Sequence, residues 1–237
     1  MLRTNGAGPS LFHMSFPSED SDVSSSLIKS PDWTVVDLAE LLGPIPLHRV
    51  CMDPAPGTGI ESDVVRFEVE ENRLFELVNG VLVEKAMGFY ESWLAGLLLR
   101  LVGNHVEEQK LGIVAGADGA IRLSKGLIRI PDVAYYSFER LPDGKVPQTP
   151  LADLVPNLAI EVVSQSNTRK EMEQKLKDYF RCGVELVWYV YPTSHTVVVF
   201  EGPELAHTLS DLDELAGGKV LPGFRLPIQQ LFREPQT

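Results

Sequence analysis

The pattern of apolar and polar residues shows regular periods from about Val64 almost to the end of the chain. Two short runs of apolar residues flank Asn79-Gly80, a pair that favours a tight β-hairpin. The next period is helical, because the apolar residues of about Tyr90–Lys110 recur three and four positions apart and form a wide apolar face. The spacing therefore predicts a β-hairpin followed by a long helix.

Short apolar runs rich in β-branched residues follow this helix and predict strands. In chain order they are "LGIVAGA", "GAIRLS", "IRIPDVAYY", "NLAIEVVS", "ELVWYVY" and "TVVVFEG". A second helix is predicted from about Thr168 to Cys182, where Gly183 ends it, and the segment "LAGGKVLPGFRLPIQQLF" predicts a last hairpin with a closing turn. The order β-hairpin, α, β, β, β, α, β, β indicates an α/β fold with a mixed β-sheet flanked by helices.

The residues before this domain divide into two parts. Residues 1–30 are rich in serine and poor in large apolar groups, a composition typical of a disordered tail. Residues 31–63 contain "TVVDLAELLGPIP", in which Thr34 can cap a short amphipathic helix that the Gly-Pro pair ends, and a loop follows. The predicted organisation is a disordered tail, a helical extension and one α/β domain over residues 64–233.

Two of the predicted core strands carry an acid among their apolar residues. Asp132 follows Pro131 within "IRIPDVAYY", and Glu161 interrupts "NLAIEVVS". A carboxylate is costly to bury alone, and proline lacks the N–H that an inner strand would use, so we expect the first strand to kink open and direct Asp132 into a cleft. A turn cap or an arginine partner would also explain Asp132. Two such acids favour a shared reason, and a divalent cation, Mg²⁺ or Mn²⁺, would offset their repulsion.

The second predicted helix places a lysine on its apolar face. Lys175 lies three residues after Met172 and four before Tyr179, within the stripe that packs on the domain. Its ammonium group can extend to the rim of the core, or it can lie over the two acids, because the helix directly follows the Glu161 strand. Two acids and a lysine around one cation suit phosphodiester cleavage: the metal activates water, and the lysine stabilises negative charge on the phosphoryl group.

Composition narrows the classes of protein that fit. The 237 residues carry a formal net charge of -12, which argues against a general electrostatic grip on nucleic acid but leaves room for a local basic groove. No apolar run reaches the roughly 18 residues that span a bilayer, and the N-terminus has no apolar core of a secretory signal. The two cysteines, Cys51 and Cys182, are far apart. We therefore expect a cytoplasmic protein with no membrane association.

Several segments together resemble the Uma-two family of endonucleases, which belongs to the restriction-endonuclease-like PD-(D/E)XK superfamily. They are "PDVAYY", "LAIEVVSQSNT", "KLKDYFRCGVELVWYVYP" and "LPGFRLPIQQLF". The resemblance covers about residues 64–233, and "TVVDLAELLGPIP" and "LFELVNGVLVEKAMG" extend it to about residue 33. It implies a restriction-endonuclease-like core in which Asp132 is the motif aspartate and Glu161 the second acid.

The resemblance also implies where the remaining site residues lie. In the simplest form of the superfamily motif a lysine follows two residues after the second acid, a position that is Val163 here. Lys175 fits the place on the next helix to which the family has moved this lysine, and Tyr179 lies one turn further on. Such folds often take one more acid from before or within the first helix. The candidates are Glu84 and Glu76, ahead of Glu91.

These observations predict a Mg²⁺-dependent (or Mn²⁺-dependent) endonuclease that acts on DNA, with Asp132 and Glu161 as metal ligands and Lys175 assisting catalysis. Two alternatives stay open. One is a catalytically inactive module of the same fold that binds protein or nucleic acid, and the other is a small regulator that dimerises through its N-terminal helix. A homodimer of the nuclease is also expected, since "ELVWYVY" and "TVVVFEG" offer candidate edge strands for pairing.

Overall fold

The computed structural model describes residues 33–233, so the tail predicted over residues 1–30 lies outside the described residues. The helices are α1 (Val35–Leu42), α2 (Glu61–Glu71), α3 (Phe89–Glu108), α4 (Arg169–Arg181) and α5 (Ile228–Leu231). The strands are β1 (Phe75–Val78), β2 (Val81–Glu84), β3 (Gly112–Ala115), β4 (Ile121–Ser124), β5 (Leu127–Arg129), β6 (Val133–Ser137), β7 (Leu158–Val162), β8 (Leu186–Tyr191), β9 (Thr196–Phe200), β10 (Ala206–Leu209), β11 (Glu214–Ala216) and β12 (Arg225–Pro227). None of the helices between residues 33 and 233 is long and apolar enough to cross a bilayer.

The strands form two main sheets. A six-stranded sheet has the order β10-β9-β8-β7-β6-β3, and its strands are antiparallel except for the parallel pair β7 and β8, which α4 connects. A four-stranded antiparallel sheet has the order β2-β1-β5-β4, and β11 and β12 form a separate hairpin. The predicted mixed sheet flanked by helices is confirmed, but the first predicted hairpin belongs to the smaller sheet.

The chain passes from the smaller sheet to the larger one at Pro131-Asp132. The segment "IRIPDVAYY" is therefore two strands rather than one, since β5 ends at Arg129 and β6 begins at Val133. Proline has no N–H to continue a ladder, and the Asp132 N–H resumes hydrogen bonding with the carbonyl of Ile160 in the other sheet, at 3.0 Å. The acid behind the proline thus lies where the two sheets meet.

Three apolar layers surround these sheets. One face of the six-stranded sheet packs against α3 and α5, and the opposite face packs against α1, α4 and the inner face of the smaller sheet. The outer face of the smaller sheet is covered by α2. The space between α4 and the two sheets is therefore lined mainly by these regular elements, together with the residues that follow β2 and precede α4.

Helix α2 was not predicted, and neither was β10. Only Val64 and Phe67 of α2 are buried, so its sequence lacks a continuous apolar stripe. β10 has no buried residue, so its sequence lacks the alternation of apolar and polar residues that indicates a strand. The expectation that "ELVWYVY" and "TVVVFEG" provide a free edge is wrong, because β8 and β9 are inner strands of the sheet.

The N-terminal extension packs on the domain rather than presenting its apolar face to solvent. Thr34 caps α1 as predicted, and Leu38 and Leu42 are buried in the layer that includes α4. The Thr168 hydroxyl, at the start of α4, donates a hydrogen bond to the carbonyl of Leu42. The chain itself covers this face, so the expectation that two copies pair through it is wrong.

Arg49 fastens the extension to three other segments. Its guanidinium donates to both carboxylate oxygens of Glu171 on α4, at 2.8 and 3.0 Å. It also donates to the carbonyl of Ser166, at 2.9 Å, and to the carbonyl of Glu84 at the end of β2, at 3.1 Å. Both side chains of the Arg49–Glu171 pair are almost fully buried. Arg49 therefore fixes the first turn of α4 relative to the smaller sheet.

We predict that Arg49→Met lowers the free energy of unfolding by roughly 3–5 kcal/mol, because it leaves the Glu171 carboxylate buried without its partner. Arg169→Met is the matched control, since Arg169 lies in the same turn of α4 but is 93% exposed in its pair with Glu173. The control should change stability little. Urea unfolding of both variants measures the difference, and equal effects would contradict the assigned role of Arg49.

Candidate active site

Strand alternation directs two acids to the same side of the six-stranded sheet. In β7 the side chains of Leu158, Ile160 and Val162 pack on the α3 side, so Glu161 faces α4. Asp132 precedes β6, two residues before Ala134, whose side chain lies in the α4 layer. Neighbouring antiparallel strands therefore present Asp132 and Glu161 to the same space.

The smaller sheet and α4 line the other walls of this space. Leu77 in β1 and Ile128 in β5 pack on the outer, α2 side, so Glu76 and Arg129 face inward. On α4, buried polar residues recur four and three positions apart and form one face. They are Glu171, Lys175 and Asp178.

The charged side chains that meet here form what we call the charge cluster. Its acids are Glu76, Asp132, Glu161, Glu171 and Asp178, and its bases are Arg49, Lys85, Arg129 and Lys175. Carboxylates thus exceed these cationic groups by one, and the exposed Arg181 also contacts Asp178, at 3.0 Å. Buried charge on this scale persists only where every group finds a partner.

Lys175 links the two sheets through their acids. Its ammonium lies 2.9 Å from Oε1 of Glu76 in β1 and 3.2 Å from Oε2 of Glu161 in β7. The Tyr179 hydroxyl, one turn further along α4, donates to Oε1 of Glu161 at 2.5 Å. Lys175 is only 4% exposed, so its ammonium lies over the acids and does not reach the rim.

Asp132 has one partner for each of its carboxylate oxygens. Oδ1 lies 2.8 Å from the ammonium of Lys85, which follows β2. Oδ2 accepts a hydrogen bond from the backbone N–H of Val162, at 2.6 Å. The Lys85 ammonium also donates to the carbonyl of Ile130, at 2.6 Å. These contacts fix the carboxylate at the junction of the sheets.

Arg129 completes the inner wall. Its guanidinium contacts Glu76 at 2.9 Å and Asp178 at 2.5 Å, and the backbone N–H of Ile130 also donates to Glu76, at 3.1 Å. Glu76 is therefore held by Lys175, Arg129 and a backbone donor. Such charge-assisted hydrogen bonds are about twice as strong as neutral ones, so Glu76 is among the most firmly fixed groups of the cluster.

The acids of the cluster have opposite pKa shifts. Burial raises the pKa of Glu161 to about 7, against the attraction of Lys175 and with smaller upward contributions from Asp132 and Glu76. Burial alone would also raise the pKa of Glu76, but Lys175 and Arg129 lower it to about 2. Burial opposes charge on Lys175 as well, yet Glu161 and Glu76 raise its pKa above the ordinary value. Glu161 is therefore the acid at which negative charge is least well compensated.

A small cavity of about 10 Å³ lies between Arg49, Glu76, Lys85, Asp132, Glu161 and Lys175. This is about the room that one water molecule occupies. Larger cavities of the described residues lie elsewhere, for example about 560 Å³ beside α3 and β3, but their linings lack buried charged side chains. The chemistry, rather than the volume, marks the small cavity as the candidate site.

The donor set of this cavity suits a hard divalent cation. Mg²⁺ is usually held by one or two carboxylates together with water molecules, and Asp132 and Glu161 supply carboxylates on one side of the sheet. Within residues 33–233 no three His, Cys, Asp or Glu side chains are already arranged as metal ligands. The residues therefore fit a Mg²⁺ that binds two carboxylates and water, and the cationic place beside Asp132 is filled by Lys85.

Most of the residues singled out from the sequence meet in this cluster. Asp132, Glu161, Lys175 and Glu76 belong to it, and the Tyr179 hydroxyl contacts it through Glu161. Glu84 does not, because the alternation of β2 turns it to the outer side, where Arg73 binds it at 2.8 and 2.9 Å. Glu91 makes no ion pair or hydrogen bond with the cluster in the described part of the chain.

Five members of the cluster were missed by the sequence reasoning. They are Arg49, Lys85, Arg129, Glu171 and Asp178. Arg129 carried the same signal as Asp132, since it is a charged residue inside an apolar strand. Glu171 and Asp178 lie four before and three after Lys175, so the helical period that placed Lys175 also placed them. Arg49 and Lys85 lie in irregular sequence and gave no such signal.

The raised pKa of Glu161 predicts a specific pH dependence of stability in metal-free buffer. Its pKa is about 7 in the folded chain and about 4.5 unfolded, so the folded state binds more protons between these values. The contribution of Glu161 to the free energy of unfolding is full below pH 4.5 and decreases as the pH rises through 7. The decrease is about 1.4 kcal/mol per unit of pKa shift.

Glu161→Gln should remove this pH dependence. The free energy of unfolding of the wild type should therefore fall relative to that of the variant between pH 5 and 7.5. Urea unfolding across this range, with a chelator present, measures the difference. Glu173→Gln, at an exposed position of α4, is the control and should follow the wild-type profile. Parallel profiles of wild type and Glu161→Gln would show that the pKa of Glu161 is not raised.

Comparison with known proteins agrees with this architecture. The Uma2 (Uma-two) family model, described as "Putative restriction endonuclease", matches residues 62–229. A solved structure described as a "putative nuclease belonging to DUF820", from Anabaena variabilis, superposes with a TM-score of 0.60 at 15% sequence identity. The match covers 67% of this chain and 89% of that one, and at this identity it shows a shared fold. No curated protein matches the sequence. Since the family model spans well over half of the sequence, the chain belongs to the Uma2 family.

Proposed function

We propose that the chain is a divalent-cation-dependent endonuclease that hydrolyses phosphodiester bonds of DNA. Asp132 and Glu161 hold Mg²⁺ or Mn²⁺, and Lys175 assists the reaction. The observation that carries the proposal is that these three side chains, from the sheet junction, β7 and α4, converge in one buried cluster. Membership of a family described as restriction endonucleases supports a nucleic-acid substrate.

The metal, when bound, lowers the pKa of a coordinated water molecule and polarises a phosphoryl oxygen. The Asp132 carboxylate is held for this role by the Val162 N–H, and Glu161 is oriented by the Tyr179 hydroxyl. Little reorganisation is then needed at the acids, which is how a preorganised site lowers a barrier.

Lys175 is suited to stabilising negative charge on the phosphoryl group. Its ammonium is fixed between Glu76 and Glu161, and its raised pKa keeps it cationic at neutral pH. Glu76 is a positioning residue in this proposal, because it acts through Lys175 and is itself fixed by Arg129. Tyr179 acts in the same way through Glu161.

A non-catalytic module of the same fold is the second candidate function. Two observations favour it: each of Glu76, Asp132 and Glu161 already has a cationic partner, and the cavity between them has room for about one water. In that case the charge cluster would be purely structural, and the chain would act by binding a protein or nucleic acid. Metal binding and cleavage separate the two candidates.

We predict that wild-type protein nicks or linearises plasmid DNA with Mg²⁺ or Mn²⁺ and that Asp132→Asn abolishes both cleavage and Mn²⁺ binding. Glu84→Gln is the matched control, since the sequence offered Glu84 as a possible accessory acid but its side chain faces Arg73. It should cleave at the wild-type rate. Loss of activity in both variants, or in neither, would contradict the assignment of Asp132.

Lys175→Met should lower the cleavage rate by roughly 10²-fold or more, as when one electrostatic stabiliser of a transition state is removed, while Mn²⁺ binding is kept. The single variant leaves Glu76 and Glu161 short of a counter-charge and is expected to be less stable. Lys175→Met with Glu76→Gln restores the charge balance and should fold while staying slow. A folded double variant with the wild-type rate would show that Lys175 has no catalytic role.

A folded wild type that binds no Mn²⁺ at millimolar concentration and leaves plasmid DNA intact would favour the non-catalytic module. Circular dichroism and thermal melting establish folding for every variant before activity is compared.

A further inference from the structure

We propose that the Lys85 ammonium is a built-in counter-ion that occupies the cationic place beside Asp132 in the metal-free protein and competes with the divalent cation for this carboxylate. The inference rests on the proposed function in one respect, namely that Asp132 is a metal ligand. It assigns to Lys85 a role distinct from that of Lys175.

The contacts of Asp132 leave one oxygen for a cation. Oδ2 accepts the N–H of Val162 at 2.6 Å and is thereby held against the backbone of β7. Oδ1 lies 2.8 Å from the Lys85 ammonium. Each carboxylate oxygen can hold two contacts, but the donor at Oδ2 is a fixed backbone N–H, whereas the donor at Oδ1 is a side chain that can move. We therefore expect Asp132 to bind a metal through Oδ1. Lys85 is the group that now contacts it.

Lys85 is also the cluster lysine with fewer acidic partners and the more exposed side chain. It follows the last residue of β2 and lies in residues 85–88, which have no regular secondary structure before α3. Its side chain is 9% exposed, compared with 5% for Lys175. A lysine carries its charge on a flexible four-carbon stem and can swing to solvent while its backbone stays in place.

Lys175 cannot make the same movement. It lies in the middle of α4, between Glu76 and Glu161. If it left, Glu161 would lose its cationic partner and Glu76 would keep only Arg129. Lys85 has one carboxylate partner, Asp132, and its other contact is a backbone carbonyl. The two lysines thus differ in kind: Lys175 is fixed in the cluster, whereas Lys85 compensates one acid until a cation replaces it.

The charge balance of the cluster indicates how the Lys85 ammonium should affect metal binding. With Lys85 in place, acids exceed bases in the cluster by one. If Lys85 stayed, a divalent cation beside Asp132 would give the cluster an excess of positive charge. The cation and the Lys85 ammonium would both contact Asp132, and like charges so close together in a buried site repel strongly. Metal entry and departure of the ammonium are therefore coupled. Removal of the Lys85 charge should make metal binding tighter, which is the opposite of the effect expected for a lysine that only supports the site.

The test measures the affinity of the full chain for Mn²⁺ by titration calorimetry in the absence of DNA. Lys85→Met should bind Mn²⁺ about tenfold or more tightly than wild type, a change that corresponds to about 1.4 kcal/mol. Lys125→Met is the matched control, since it removes the same charge at an exposed position in the turn between β4 and β5. Its affinity should equal that of the wild type.

Thermal melting provides a second readout. Without metal, Lys85→Met leaves Asp132 without its counter-ion and should melt several degrees below wild type. Saturating Mn²⁺ should raise the melting temperature of the variant by more than that of the wild type. The reason is that a ligand stabilises the folded state in proportion to how tightly it binds that state. Should Lys85→Met fail to fold, Lys85→Gln removes the charge but keeps a donor for Ile130, and the same tighter binding is expected.

An unchanged or weaker Mn²⁺ affinity in the folded Lys85 variant would overturn the inference. Plasmid cleavage, measured on the same samples, distinguishes this result from failure of the proposed function. If the variant binds Mn²⁺ more tightly but no sample cleaves DNA, the competition stands and the nuclease proposal fails. If the wild type cleaves DNA and the Lys85 variant shows no gain in affinity, the nuclease proposal stands and the competition fails.

Discussion

The bridge from Lys175 to Glu76 and Glu161 is the interaction on which the arrangement of the protein depends most. It joins β1 of the smaller sheet to β7 of the larger one through a residue of α4. A carboxylate is stable in an apolar interior only with a counter-charge or strong donors at hand. Each acid of the cluster therefore constrains where its partners lie, and the two sheets and α4 are held at fixed positions relative to one another. The same constraint gathers the groups from which a metal-dependent site can be built.

The secondary structure near the site could be predicted because its signals are local. The alternation of β7, the capping box of Thr168 with Glu171 and the helical period around Lys175 are all readable within a few residues. The proline before Asp132 correctly indicated a break in the strand, although the sequence did not reveal that the chain changes sheets there. Helix α2 stayed hidden because it buries only two residues against the domain.

The partners of the acids could not be predicted in the same way. Lys85 and Asp132 are 47 positions apart, and Arg49 pairs with Glu171 across 122 positions. No local pattern reports such a pairing, and the strand alternation that would have turned Glu84 away from the site depends on which face of β2 is buried. Sequence reasoning thus found three of the five acids and one lysine, whereas the other three bases emerged only from the three-dimensional fold.

The N-terminal extension contributes to the candidate site although it precedes the residues that the family model matches. The Uma2 match begins at residue 62, yet Arg49 lies before that point and contributes a guanidinium to the charge cluster. Its contacts with Glu171, Ser166 and Glu84 join the start of α4 to the end of β2. The folding unit that supports the candidate site therefore includes residues that the family model does not match.

We propose that this buried cluster binds a divalent cation through Asp132 and Glu161. Diffraction from crystals grown with Mn²⁺, recorded to give an anomalous difference map, tests it most directly. We predict one strong peak within bonding distance of carboxylate oxygens of Asp132 and Glu161, with the Lys85 ammonium moved away from Asp132. An interior without such a peak, in which Lys85 still contacts Asp132 at saturating Mn²⁺, would contradict it.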